Sequence, residues 1–537
     1  MAKRWYLTFA VIVLSSLITA GAAAQEAQLG TVEFQTSGSK EAQASFLRGL
    51  AALHSFWYEE ALEAFKASTK SDPEFMMGYW AEAMAYNHPL WGEQDTPTAR
   101  GILAKIKDTP KLSTRERAYL NAVKLLYGEG DKRARDAAYS AAMEKIYLDY
   151  PEDLDAAAFY ALSLLGQVRS EEKSFRLQAR AGAIALEVYR QNPNHPGAAH
   201  YIIHAFDDPE HAILALPAAR RYADIAPEAH HARHMPSHIF LQLGMWPEAA
   251  ASNESAWEVS NTWMKRKNLS PSVRDYHSLH WLAYVYLQQG RYRKAEELLA
   301  LMKQTMSDTT YENKLRPGYY ENNYANMAAA YVVETERWDA ANTLFPANAS
   351  NSMNGEAMGS HGHGMSTTVT DATLRTSDRG QRLPVLILGF ASARKGNITS
   401  SQMQESSNIG ELEVAAVAAS VKDDHDYAIK LMTKAVELED KLGPPSGPPS
   451  LVKPPHELFG ELLLRAGKPA EAAEQFKASL LRQPNRARSL IGAARAAARN
   501  GDRASAAAAY SKFLAQWSQA DPDLPELKEA KDYLKKN

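Results

Sequence analysis

The sequence predicts an all-α protein built from repeated helical hairpins, and three observations carry that prediction. Matched residues recur at a fixed offset: His200 and His204 reappear 34 residues later as His234 and His238, and Pro193 reappears as Pro227. A shared offset puts matched residues on matched faces of successive units. One short frame also returns along the chain, as Gly244-Met-Trp-Pro-Glu-Ala249, as Gly290-Arg-Tyr-Arg-Lys-Ala295, and again in ERWDAA, GKPAEA and GDRASA. Lastly, small residues (Gly49, Ala61, Ala83) stand among large aromatics (Trp57, Tyr58, Phe65, Tyr79), the mixture that closely packed helices need.

The 537 residues exceed what one core accommodates, so a long array is expected. With 60 basic and 63 acidic residues the formal charge is −3, which argues against nucleic acid as a partner. Residues 1–24 are expected to be a signal peptide. Lys3 and Arg4 precede an apolar run of 15 residues, Tyr6–Ala20, short of the about 20 that span a membrane, and Ala22-Ala23-Ala24 offers a cleavage site. The mature chain would then be exported, to a bacterial periplasm, with no membrane span. It contains no cysteine, so a soft metal would have to be held by His or Met. Residues 25–40 read as a flexible N-terminal segment.

Helical patterning begins at about 41 in GLAALHSFWYEEALEAFKASTKSDP and GYWAEAMAYNHPLW, and runs to 345. Residues 346–383, rich in Ser, Gly and Asn, read as a mobile loop carrying Met353, Met358, His361, His363 and Met365. Further helical repeats are expected over 384–442, a Pro-rich, semi-rigid linker over 443–455, and C-terminal repeats with a lysine-rich tail over 456–537.

These units resemble tetratricopeptide repeats, and the resemblance covers roughly three quarters of the chain, over 41–345 and 384–520. It implies a right-handed α-solenoid of hairpins whose first helices line a concave groove. Placed in that frame, His54, His88, His200, His204, His234, His238 and His280 would all point into the groove. The strings LHSFWY, YWAEAM, NHPLW, HMPSHIF, PNRARSL and ADPDLPEL are similar to a group of secreted bacterial tetratricopeptide proteins, which supplies a fold and an address but no reaction. In such an array contacts are expected between adjacent repeats only.

Ten of the sixteen histidines lie between His195 and His280. Imidazole ligates transition metals through a neutral nitrogen, and two histidines at i and i+4 can share one ion. The candidate ligands are therefore His200, His204, His234, His238, His277 and His280, with His54 and His88 as a secondary pair and His361, His363 and Met365 in the loop. Zinc or copper is the expected metal. Pro236, between His234 and His238, unsettles the geometry of that pair. Asp207, Asp208 or Asp275 could complete or orient the ligand shell. His230 and His231 read as turn residues, and His425 and His456 as structural. No nucleotide loop, G-x-S-x-G or H-E-x-x-H is present, so no catalytic residue is assigned. A metal-binding protein is the leading expectation. The alternatives are a scaffold holding a protein or peptide in the groove and a metal-dependent enzyme.

Overall fold

The first hairpin shows how this sequence makes its unit. Ser39 caps the helix Lys40–His54 by accepting from the Ala42 N–H. The return helix Tyr58–Ser71 packs against it because Gly49 leaves room for the Phe65 ring, where a Cβ would stand 2.5 Å from a ring carbon. Gly182 with Phe206 and Gly460 with Phe476 repeat the device. The computed structural model describes residues 28–169, 174–307, 318–346, 376–398, 406 and 408–536, and over them the chain is a succession of such helices. Among the described residues the exception is a two-residue antiparallel pairing, Asn87–His88 with Glu93–Gln94. No described helix is long and apolar enough to cross a membrane.

Three expectations are corrected. Residues 28–39 are not a free segment: Leu29 and Phe34 are buried, and the Phe34 ring sits 5.0–5.8 Å from Phe46, Trp80 and Tyr119. The apolar residues Leu29, Val32 and Phe34 give this stretch a face to bury. The helix Thr376–Arg394 starts inside the segment read as loop, while 347–375, with His361, His363 and Met365, lie outside the described residues. The signal-peptide segment lies outside them as well.

The third correction concerns the array, which closes on itself instead of touching only its neighbours. Gly244 and Gly290 end the first helices of successive hairpins with positive φ (+65° and +71°), the conformation that favours glycine. Both are covered by distant chain: Asn485 lies against Gly244 and Trp517 against Gly290. Trp246 Nε1 donates to Asn485 O, and Trp517 Nε1 to Gln288 O. At the other end Trp263 Nε1 donates to Glu60 Oε1, 203 residues away. The physical reason is that buried polar groups need partners, and local sequence does not supply them. The Pro-rich segment also packs: Gln242 Nε2 donates to Pro445 O at 2.7 Å, and Gly447 lies against the Trp281 ring.

Candidate metal centre

Six histidines from four helices form two groups of three. His200 and His204 project from Pro196–Ala205, and His231 from the short helix His230–His234. His234 from that same turn, His238 from Pro236–Gln242 and His277 from Tyr276–Gln288 make the second group. Within each group the ligating nitrogens lie within 4.8 Å of one another. Met235 keeps helical dihedrals (φ −54°, ψ −35°), so Pro236 sits at the start of a new helical turn with its ring tolerated. The i,i+4 geometry that the proline threatened is kept.

The proton positions follow from the partners. His238 Nδ1 lies 2.6 Å from Asp207 Oδ2, and a carboxylate only accepts, so Nδ1 carries the proton. Asn253 Nδ2 donates to Ala249 O, which leaves Asn253 Oδ1 to accept from His234 Nδ1 at 2.7 Å. With Nδ1 held on the outer side of both rings, the two Nε2 atoms face each other at 3.1 Å. The first group is similar. His200 Nδ1 donates to His54 O at 2.7 Å, so its Nε2 lone pair faces His204 Nε2 at 3.0 Å and His231 Nε2 at 3.2 Å. Tetrahedral coordination at a metal–nitrogen distance of about 2.0–2.1 Å requires nitrogens about 3.3 Å apart. The observed spacings approach that edge length.

The surroundings are dry. Phe56 meets His200 edge-on at 4.3 Å, and Trp281 lies 4.1 Å from the His238 ring. Phe56 holds φ at +52°, a strained setting for a bulky residue. His200 and His234 are fully buried, whereas His204 and His277 are partly exposed and mark the side open to solvent. Desolvation pushes His200 and His234 down to about 3, and lowers His204, His231 and His277 well below the usual imidazole range; neighbouring imidazoles add to the effect.

Other predicted residues go elsewhere. His54 lies behind His200, with Nε2 2.8 Å from Asp155 Oδ1 and Nδ1 2.9 Å from Tyr201 Oη. His195 Nε2 also approaches Asp155 Oδ1, at 3.3 Å. In this third cluster the imidazole protons point at the carboxylate, so the group is a support for His200 and has little lone-pair capacity of its own. His88 stacks on Tyr58 at 3.9 Å and pairs with Glu93, away from both triads. His280 lines a separate cavity with Tyr284, Asn326 and Pro448. The single groove expected to gather His54, His88 and His280 with the others is thus corrected: His280 has Tyr284 four residues on, where His200 and His234 have histidines, and His54 and His88 turn their ring nitrogens to Asp155, Tyr201 and Glu93.

His231 is also corrected, from turn residue to member of the first triad. A signal for it existed. It stands three residues before His234, as His277 stands three before His280. Each triad therefore takes positions h and h+4 of one repeat and h−3 of the next. Among the three carboxylates considered, Asp207 orients His238 and is itself held by Gln242 Nε2 at 3.1 Å, Asp208 pairs with His211, and Asp275 with His230.

Residues 276–300 match the family model described as Tetratricopeptide repeat. The APC/C hetero-tetramer Cut9–Hcn1 is 13% identical, with 94% of this chain and 78% of that chain covered and a TM-score of 0.34. Yeast Tom70 is 11% identical, with 93% and 89% covered and a TM-score of 0.24. No curated protein matches. The matched unit supplies His277 and carries the same frame as the hairpins around it, so residues 276–300 form a tetratricopeptide repeat.

Proposed function

We propose that the six histidines of the two triads bind transition-metal ions, zinc or copper, and that this is the chain's principal activity. The observation that carries the reading is the pair His234 and His238, whose Nε2 atoms face each other at 3.1 Å while both Nδ1 atoms are already partnered. Burial disfavours a protonated His234, and a metal ion held by both Nε2 atoms would satisfy the pair together. Export belongs to the same proposal and is supported by Lys3, Arg4 and the apolar run behind them.

Elemental analysis of protein produced with its own N-terminal segment tests this. Bound zinc or copper that falls by about half in His234→Ala, which leaves the other triad intact, and is unchanged in His425→Ala is the expected result. Metal-free wild type that takes up neither ion on titration would end the proposal.

A tetratricopeptide scaffold suits protein–protein interaction, and that is the second reading. The chain's own Pro-rich stretch lying across Gln242 and Trp281 supports it, as an example of extended chain packed on this face.

A further inference from the structure

The two triads are copies of one arrangement. Moving from the first to the second, His200 becomes His234 and His204 becomes His238, each 34 residues on, and His231 becomes His277. The copies are also in contact. The His204 and His238 ring centroids are 5.7 Å apart and those of His231 and His234 5.8 Å, against 4.7–5.0 Å for neighbours inside a triad. No protein wall separates them, and His231 and His234 share a single helical turn. Two ions bound here would be close enough for one small ligand to touch both.

Charge then selects the metal. All six ligands are imidazoles, which bind metal as neutral donors, so the ions keep their full charge in a buried, aromatic-walled place. Two buried carboxylates stand just behind, Asp207 on His238 and Asp155 reached from His200 through His54, while a third, Asp275, beside His234 and His277, is paired with His230 at 3.0 Å. Asp207 is held by His238 and Gln242, and Asp155 by His54 with His195 beside it. Two monovalent ions match those two negative charges, and two divalent ions exceed them. Cu(I) is the monovalent ion that neutral nitrogen ligands in threes hold well, and each triad leaves it one side free.

Resting on the metal-binding proposal, we propose that the triads together form one dinuclear copper centre that takes up dioxygen. Each Cu(I) gives one electron to O₂, the O–O bond order falls from two to one, and peroxide is held between two Cu(II) ions by two new copper–oxygen bonds. No proton is consumed. The net charge of the centre is +2 before and after, since two Cu(II) and one peroxide sum to the same value as two Cu(I), so the carboxylates behind it balance both states. Dioxygen enters past His204 and His277, the partly exposed members.

The test uses the full chain loaded with Cu(I) under anaerobic conditions. Two coppers per chain are expected. On exposure to air one O₂ per two coppers should be taken up, with an intense near-ultraviolet charge-transfer absorption. The oxidised centre should give no copper EPR signal, because the two Cu(II) spins couple. His204→Ala and His277→Ala each leave one triad intact and should bind one copper and show an ordinary mononuclear Cu(II) spectrum on oxidation. Their circular dichroism should match wild type, and if it does not, His204→Gln and His277→Gln take their place. One copper per wild-type chain, an uncoupled Cu(II) signal, or uptake of two zinc ions with refusal of Cu(I) would overturn the dinuclear copper centre and leave the metal-binding proposal standing. Absence of all metal uptake would remove both.

Discussion

Two regions of this chain bury polar side chains in quantity, and they do it in opposite ways. Around Arg486 opposite charges are paired directly: the guanidinium contacts both Glu457 oxygens at 2.7 and 3.0 Å and Glu334 at 2.6 Å, and donates to Tyr284 Oη. Lys453 and Ser489 complete the Glu457 carboxylate. Around His234 the outer nitrogens are just as carefully bonded, but the inner ones face only one another. A buried network whose members satisfy one another holds a fold together. One that is satisfied on its rim and bare at its centre is prepared for something else.

Acid should separate the two regions most strongly. His54, His200, His204, His231, His234 and His277 all sit below the ordinary imidazole value, burial being the first cause in each. Between their folded values and about 6.5 the unfolded chain binds more protons, so their stability is complete above about 6.5 and is lost as pH falls. Each contributes up to about 1.4 kcal/mol per pH unit. His230, raised because Asp275 outweighs its burial, acts in the opposite sense and offsets one of them. Glu457 is depressed by Arg486 and Lys453 against its own burial, so its contribution persists until pH falls below about 4. Hydrogen exchange on the metal-free protein at pH 7 and 5 should show helices 196–242 losing protection while 455–499 keep it. Equal protection in both at pH 5 would contradict the contrast.

Removing one charge should hurt the other region next. Arg486→Met leaves Glu457 and Glu334 buried and unpaired, a loss of about 3–5 kcal/mol in denaturant melts. Metal should not restore it. Metal itself should stabilise wild type by about 2.7 kcal/mol at a hundredfold excess over the dissociation constant. His204→Ala, which leaves the second triad intact, should lose about half of the total gain and His425→Ala none of it, as thermal-shift titrations with zinc and copper would report. Asp207→Asn should weaken metal binding by about 10–100-fold by loosening His238, measured by competition with a chelating dye. In the absence of metal, His425→Ala, half exposed on a helix start, should move stability by no more than about 0.5 kcal/mol.

Much of this was legible in the sequence because a repeat writes its geometry into spacing. The 34-residue offset located four of the six clustered histidines and predicted that their helices would stand side by side. His277 followed from the insertion-corrected third copy. His231 did not, because its neighbour His230 and the nearby proline suggested a turn, and only the comparison with His277 reveals that the h−3 position reaches back to the preceding repeat. His280 shares the phase but has Tyr284 where a triad needs its h+4 histidine, and His54 shares it but is bonded to Asp155, a residue that spacing does not bring near. The support given by Asp155 and Asn253 was not readable at all, since those residues lie 101 and 19 positions from the imidazoles they hold.

The closure of the array has a consequence for how this chain can change over time. Open arrays of hairpins gain or lose units at their ends with little effect elsewhere. Here Asn485 and Trp517 are seated on glycines of two particular earlier hairpins, and Arg486 reaches a tyrosine 202 residues back. Adding or deleting one 34-residue unit between them would move every seat out of register. The number of repeats is thereby locked, and variation is confined to the connecting loops.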